Sequence, residues 1–458
     1  MEGRPARSGP RGAGSRPCIT DAAIVALALL VPSSASAWTD SDTLRANQAG
    51  AQFGSCVAGV GDLDGDGHGD LGIAAHFFTA GTDTGAGALF LYAGAMPPGS
   101  PPWLRLDGLS ANEHFGESFA GGADIDGDGR PDLVVGAPLR DSGLLRAAGA
   151  VDVFRSPPPP GGTRWTTLHG EAADDWFGQS VAIGDLDGDG KAEIIVGAPY
   201  NDRNGSAAGA VFIYRGGTQP PAAPWKILVG EAPNDQFGWS VAWLGDVDGD
   251  GFGDIAVGAR LHSAPLKFAA GRVYLFHGGP AMDTIADGSW SGEAANDWFG
   301  NVVRGPGDVD GGGRPDLLVG APYNDRNGSA AGAVYLFRGE QPPGSAAAAV
   351  YTGESANAQF GWDAGAPGDV TGDGRPDVVA GARFQAVGAA SAAGRAYLYS
   401  GGTPLSTTPT ATVDGELPDN WLGSSVGGAP GFFATRERLG SANDRWHATD
   451  GTPNGLDF

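Results

Sequence analysis

Two cysteines, Cys18 and Cys56, are all that this chain holds, and Cys18 precedes a candidate cleavage point. A secreted product would keep Cys56 alone, so no intrachain disulfide braces it and no disulfide-linked partner is required. Long apolar runs are also missing: the longest, Ala22 to Val31, is too short to span a bilayer, so no membrane span is expected. Positive charge is scarce, with 28 Lys and Arg against 53 Asp and Glu and a formal net charge of −25. Such a surface repels nucleic acid and anionic membranes. The seven histidines are scattered, with no His-Glu-x-x-His pair, which removes the commonest zinc-hydrolase signature.

Glycine and proline, by contrast, are abundant at 80 and 33 residues. That excess marks either disorder or a turn-dense all-β fold, and a hydrophobic content of 41% argues for the latter. At the amino terminus, Arg4, Arg7, Arg11 and Arg16 precede the apolar run, and Ala35-Ser36-Ala37 follows it. This order is that of a secretory signal over residues 1–37, so the product is expected to be secreted or extracellular, with a periplasmic or cell-surface site as variants.

The acids are concentrated. A loop of the form D-x-D-x-D-G-x-x-D recurs six times, as DLDGDGHGD from Asp62, DIDGDGRPD from Asp124, DLDGDGKAE from Asp185, DVDGDGFGD from Asp246, DVDGGGRPD from Asp308 and DVTGDGRPD from Asp369. Together these loops hold 22 of the 53 acidic residues. Each follows a Phe-Gly pair, at Phe53, Phe115, Phe177, Phe237, Phe299 and Phe360, with Leu422-Gly423 as a weaker seventh; the spacing is 60 to 62 residues throughout. A repeat of this period must be recognised before elements are assigned.

In the third unit, four short apolar or alternating runs stand between Gly, Pro and Asp clusters: Phe177 to Ile183, Glu193 to Val196, Ala210 to Tyr214 and Trp225 to Val229. Four antiparallel strands at this period predict propeller blades. A β-solenoid needs a shorter repeat and an immunoglobulin-like sandwich a longer one. The expectation is an all-β, seven-bladed propeller over residues 38–430, with repeats starting near 53, 115, 177, 237, 299, 360 and 422. The last blade, opening at Thr410, is expected to be degenerate and closed by an amino-terminal strand, Thr43 to Ala46. Residues 431–458 contain neither an acidic loop nor Gly-Ala-Pro and are expected to form a degenerate or disordered end; a six-bladed ring with a tail is the alternative.

Carboxylates on alternate residues of a tight turn can converge on Ca²⁺, a hard cation that takes six to eight oxygen ligands. The candidate ligands are Asp62, Asp64, Asp66 and Asp70; Asp124, Asp126, Asp128 and Asp132; Asp185, Asp187, Asp189 and Glu193; Asp246, Asp248, Asp250 and Asp254; Asp308, Asp310 and Asp316; and Asp369, Thr371, Asp373 and Asp377. An Asp-Gly turn without a metal is the plain alternative for one copy; six copies of clustered like charge favour the cation. Gly312 and Thr371 each replace an acid, so the fifth and sixth sites should be weaker, giving four to six ions.

The ordered blocks F-G-x-S-V, D-x-D-x-D-G, G-A-P and G-x-V-Y-x-F resemble the FG-GAP repeat of integrin alpha-subunit amino-terminal propellers and of related bacterial secreted proteins. That resemblance implies calcium in hairpin loops on one face and adhesion or recognition of an extracellular protein or glycan through the other. On that second face it places Trp176, Tyr200, Arg203, Trp298, Tyr323 and Arg326. Single aromatics in such positions also serve simply to pack blades together. Three copies depart from the motif: Ala74-Ala75-His76 stands for Gly-Ala-Pro in the first, and Arg260 and Arg383 replace its proline in the fourth and sixth. The competing class is a secreted hydrolase, since phospholipase-like proteins also carry FG-GAP repeats. Gly423-Ser424-Ser425-Val426-Gly427 matches G-x-S-x-G, but as the seventh copy of the Phe-Gly strand it makes a poor nucleophile elbow. The expectation is a binding module with no catalytic residues.

Overall fold

The computed structural model describes residues 48, 50–94, 100–157, 163–340, 346–429, 432–437 and 445–447. The signal segment 1–37 and the strand expected over Thr43 to Ala46 lie outside the described residues, as does most of 431–458. Among the described residues the fold is all-β, with no helix.

Six four-stranded antiparallel meanders form the blades. The first comprises β1 (Phe53–Gly61), β2 (Asp70–Ala75), β3 (Ala88–Tyr92) and β4 (Leu104–Asp107); the second, β5 (Phe119–Ala123), β6 (Asp132–Ala137), β7 (Ala150–Phe154) and β8 (Thr166–His169). The third comprises β9 (Ser180–Gly184), β10 (Glu193–Ala198), β11 (Ala210–Tyr214) and β12 (Lys226–Val229); the fourth, β13 (Phe237–Gly245), β14 (Asp254–Ala259), β15 (Arg272–Phe276) and β16 (Gly288–Ser291). The fifth comprises β17 (Val302–Gly307), β18 (Asp316–Ala321), β19 (Ala333–Phe337) and β20 (Ala349–Thr352); the sixth, β21 (Phe360–Gly368), β22 (Asp377–Ala382), β23 (Arg395–Tyr399) and β24 (Ala411–Asp414).

The expected seventh blade is not formed: the propeller has six blades. The segment from Thr410 supplies β24, the outer strand of the sixth blade, and does not open a new one. Beyond β24 the chain forms a three-stranded sheet of β25 (Val426–Ala429), β26 (Phe432–Glu437) and β27 (Arg445–His447). The physical reason lies in the sequence after Gly431, which lacks the acidic loop and the Gly-Ala-Pro that shape the other six units. First strands neighbour one another in chain order around the ring, and β25 lies between β21 and β1.

The repeat motif is a device for packing blades. Every residue of β2, β6, β10, β14, β18 and β22 is buried, because both faces of these strands meet neighbouring sheets. The phenylalanine of each Phe-Gly pair is at most 2% exposed. Phe177, Phe237, Phe299 and Phe360 each meet an aromatic of their own blade edge-on, with ring centroids 5.1 to 5.4 Å apart. Such pairs contribute roughly 0.5–1.5 kcal/mol beyond area burial. The glycine that follows is left-handed in every unit, with φ of 78° to 89°, which only glycine adopts without strain.

That turn brings its carbonyl against the glycine of Gly-Ala-Pro in the preceding blade. A Cβ on Gly136, Gly197, Gly258, Gly320 or Gly381 would lie closer than 3.0 Å to the carbonyl oxygen of Gly178, Gly238, Gly300, Gly361 or Gly423. Serines of the Phe-Gly-x-Ser stretch latch the same junction: Ser118 Oγ donates to Gly178 O at 2.9 Å, and Ser180 Oγ to Gly238 O at 3.0 Å. A parallel bridge from Gly149 to Phe177, repeated at four later junctions, completes the link.

Gly197→Ala should therefore destabilise the protein by about 1–3 kcal/mol, the usual cost of overpacking a closed site. Thermal melting against Gly217→Ala, whose added Cβ meets nothing within 4 Å, checks this; equal midpoints for the two variants would contradict it.

Candidate functional site

A meander sends alternate loops to opposite faces, and this divides the chemistry. The acidic loops join first to second strands on one face. The loops joining second to third strands, with the segments before each Phe-Gly, lie on the other.

On the acidic face the first aspartate shapes the loop. Asp62 Oδ1 accepts from the amides of Gly65 and Asp66 at 2.8 and 3.0 Å, and its Oδ2 accepts from Gly67 at 2.9 Å. The arrangement recurs around Asp124, Asp246 and Asp369. Asp185 keeps it with Gly188 and Gly190, and Asp308 with Gly312 and Gly313. The fifth and sixth loops thus keep the shape although each has lost an acid. Gly65 and Gly67 take φ of 81° and 91°, curling the chain so that alternate side chains converge.

The ninth residue of each loop is a buried clamp. Asp70 Oδ2 accepts from the amides of Leu63 and Asp64, while Oδ1 accepts from Gly94, beyond the end of β3. Asp132, Asp316 and Asp377 repeat all three bonds, to Ser156, Gly339 and Gly401 on the far side. Asp254 binds Val247 and Gly278 in the same way. Burial, with nearby acids adding to it, pushes Asp70, Asp132, Asp254 and Asp316 up to about 6. Burial raises Glu193 to about 7, and Asp377 is raised for the same reason.

Carboxylate oxygens do converge, within 4.8 Å of one another, in Asp62/Asp64/Asp66, Asp124/Asp126/Asp132, Asp185/Asp187/Glu193 and Asp246/Asp248/Asp250. These are acidic clusters able to hold a metal ion. An all-oxygen donor set that includes a buried carboxylate suits a hard divalent ion. Asp128, Asp189 and Asp373 also hold the loop, each accepting the amide two residues on.

The sequence did not announce a basic residue just beyond the third strand. Arg155 and Arg215 pair with Asp126 and Asp187 at 2.9 Å, Arg338 pairs with Asp310, and His277 stands 3.4 Å from Asp248. Arg155 and Arg215 lie over Trp165 and Trp225, 4.3 Å from the ring centroids. In the first blade the same position is Ala93, and in the sixth it is Ser400. Thr371, which lacks a charge to pair, donates its hydroxyl to Asp377 at 3.1 Å. The signal was available only once the third strands were aligned, as the residue directly after each strand's last aromatic: Arg155, Arg215, His277 and Arg338.

On the opposite face, Trp176 meets Tyr200 and Trp298 meets Tyr323 edge-on, both at 4.5 Å. All four are half-buried. Arg203 and Arg326 do not join these aromatics; each forks onto a glutamate, Glu171 and Glu293, at 2.5 to 2.8 Å. On this face, two cations that stack on tryptophan are those that replace proline in Gly-Ala-Pro. Arg260 lies 3.0 Å from the Trp239 ring centroid and 4.9 Å from that of Trp298. Arg383 lies 3.1 Å from the centroid of Trp362, and its Nε donates to Gln359 at 2.8 Å. Burial lowers Arg260 to about 9. Beneath this band the third and fifth blades carry a buried polar pair, Asn201 with Asp175 and Asn324 with Asp297, at 2.8 and 3.0 Å, and the fourth pairs His262 with Asp235 at 2.9 Å. Arg140 serves the second blade, bridging Glu113 and Asp152.

Comparison with known proteins agrees with this geometry. The FG-GAP repeat family matches residues 115–154, 177–214, 237–276 and 305–337. Integrin alpha-5 of Xenopus laevis is 34% identical over 223 residues, which is 46% of this chain and 20% of that protein. Integrin alpha-7 of Mus musculus is 36% identical over 230 residues, 48% of this chain and 18% of that protein. Integrin alpha-PS2 of Drosophila melanogaster is 32% identical over 251 residues, 50% of this chain and 16% of that protein. The chain spans about a fifth of the length of these relatives. The chain carries four matched FG-GAP repeats within its β-propeller and is similar along about half its length to integrin alpha subunits.

Proposed function

We propose that the chain is a secreted, non-catalytic recognition module, braced by Ca²⁺ in its acidic loops and binding an extracellular protein or glycan through the opposite face. The observation that carries this reading is the division of labour between faces: converging carboxylates on one, an aromatic and arginine band on the other. Similarity to integrin alpha subunits supports it. No helix among the described residues is long and apolar enough to cross a membrane. The hydrolase alternative draws no support from Gly423 to Gly427, which runs into a strand and not a helix, with Ser425 buried.

The Arg338 pair and the lost acid at Gly312 make the fifth loop the least dependent on a cation, and the first loop, with Ala93 in place of arginine, the most. Calcium titration of the full chain should lose one strong site in Asp64→Asn and none in Asp310→Asn. Equal losses would break the proposed order.

The closing acids titrate higher in the folded chain than their ordinary values of 3.8 and 4.5. Without a cation their contribution to stability is present below those ordinary values and lost as pH rises through about 6 to 7, since the native state then holds protons that the unfolded state has released. Bound Ca²⁺ removes that loss, and binding only the folded state stabilises by mass action. The rise in melting temperature on replacing chelator with Ca²⁺ should be larger at about pH 7.5 than at about pH 5; a rise independent of pH would count against the clamp as part of the site.

Recognition is tested by binding the full chain, with Ca²⁺, to panels of immobilised matrix proteins and glycans. Saturable binding that the Tyr200→Ala/Tyr323→Ala double variant loses is expected. Binding untouched by that variant would misplace the surface, and turnover of a phosphodiester or glycosidic substrate would overturn the reading.

A further inference from the structure

At the junction of the first and second blades, on the face away from the acidic loops, three ligating side chains meet. His76 follows β2 and takes the place that Pro138, Pro199 and Pro322 hold in other units. His114 immediately precedes the second Phe-Gly, and Glu117 immediately follows it. His76 Nδ1 stands 3.4 Å from Glu117 Oε2, and His114 Nδ1 stands 3.7 Å from the same oxygen. The three donor atoms all lie within 4.8 Å of one another.

We infer that His76, His114 and Glu117 form a binding site for a zinc-class transition metal, distinct from the acidic loops and bridging two blades. The warrant is geometric. Ligands held at about 2.0–2.1 Å around a tetrahedral zinc stand about 3.3–3.4 Å from one another, and the two measured separations are at that value or a few tenths above it. The donor chemistry selects the metal: two imidazoles and one carboxylate favour zinc, nickel or copper over the hard ions that suit all-carboxylate loops.

The site is also held in shape. The two imidazoles stack with centroids 5.3 Å apart and planes 25° from parallel, and the Phe77 ring packs against both. The His76 amide donates to Ser55 Oγ at 3.4 Å, fixing the chain as it leaves β2. Side-chain exposures of 12%, 19% and 28% for His76, His114 and Glu117 leave one side open for a fourth ligand, water or a group of a bound partner.

The combination is confined to this junction. At the same three positions the next junctions carry Pro138, Trp176 and Gln179, then Pro199, Gln236 and Trp239, then Arg260, Trp298 and Asn301. The backbone does not explain it, because the left-handed φ of 56° at His114 recurs at Trp176, Gln236 and Trp298 with φ of 55° to 56°.

The test uses the full chain in saturating Ca²⁺, so that the acidic loops are filled, and Co²⁺ as a spectroscopic stand-in for zinc. One equivalent of Co²⁺ with the intense visible absorption of a tetrahedral site is expected, displaced by Zn²⁺. His76→Ala and His114→Ala should abolish that absorption and weaken Zn²⁺ binding at least tenfold by calorimetry, and Glu117→Gln should weaken it less. Melting in Ca²⁺ without zinc identifies variants that remain folded. A wild-type chain that binds no Co²⁺ beyond the level of a folded His76→Ala/His114→Ala double variant would overturn the inference, whatever becomes of the recognition role.

Discussion

Much in this molecule depends on how closely two backbones can approach where one blade meets the next. At the five junctions from Gly136 to Gly381 a glycine carbonyl of one blade sits where any side chain on the preceding blade's glycine would have to be, and only the first junction carries an alanine, Ala74, instead. The left-handed turn after each buried phenylalanine aims that carbonyl, and the phenylalanine anchors the turn. Interiors packed at crystal-like density do not yield by the amount a methyl group would need. The Phe-Gly and Gly-Ala-Pro blocks are thus two halves of one contact, and their period is the period of the ring.

The acidic loop solves a second problem, that of closing a short hairpin with no disulfide and little apolar material of its own. One carboxylate clamps three chain segments, another winds the turn, and those between them crowd together. Arg338 takes up part of the crowding in a loop that has lost an acid at Gly312, while Arg155 and Arg215 do so in loops that keep all four. Where the second acid is absent, at Thr371, so is the base, and Ser400 stands in its place. Charge balance in these loops is therefore set locally, blade by blade, and does not follow from the chain's overall acidity.

Much of this was legible in the sequence. The strand expected over Ala210 to Tyr214 is β11, and that over Glu193 to Val196 runs two residues further as β10. The strand expected from Phe177 begins instead at Ser180, whereas β1, β13 and β21 do begin at their phenylalanine and shift register just after it. The repeat pattern overcounts the blades because Leu422 to Val426 has the look of a first strand; a blade needs its clamp and outer strand too. The arginines on the second acids and the stacking of Arg260 and Arg383 were hidden for another reason. A cation's partner in a propeller comes from a neighbouring strand or blade, tens of residues away, and local patterning does not carry that distance.

One consequence of the ring's closure concerns force. The first strand of the first blade, β1, and the first strand of the three-stranded sheet, β25, lie side by side, so the two ends of the described ring meet at a single seam, and any tension on the chain reaches that seam only through the strands that flank it. That seam joins a full meander to a sheet one strand short, while every junction between consecutive blades joins two complete ones. The first and last described strands along the chain, β1 and β27, are each held to the rest by a single antiparallel neighbour, β2 and β26.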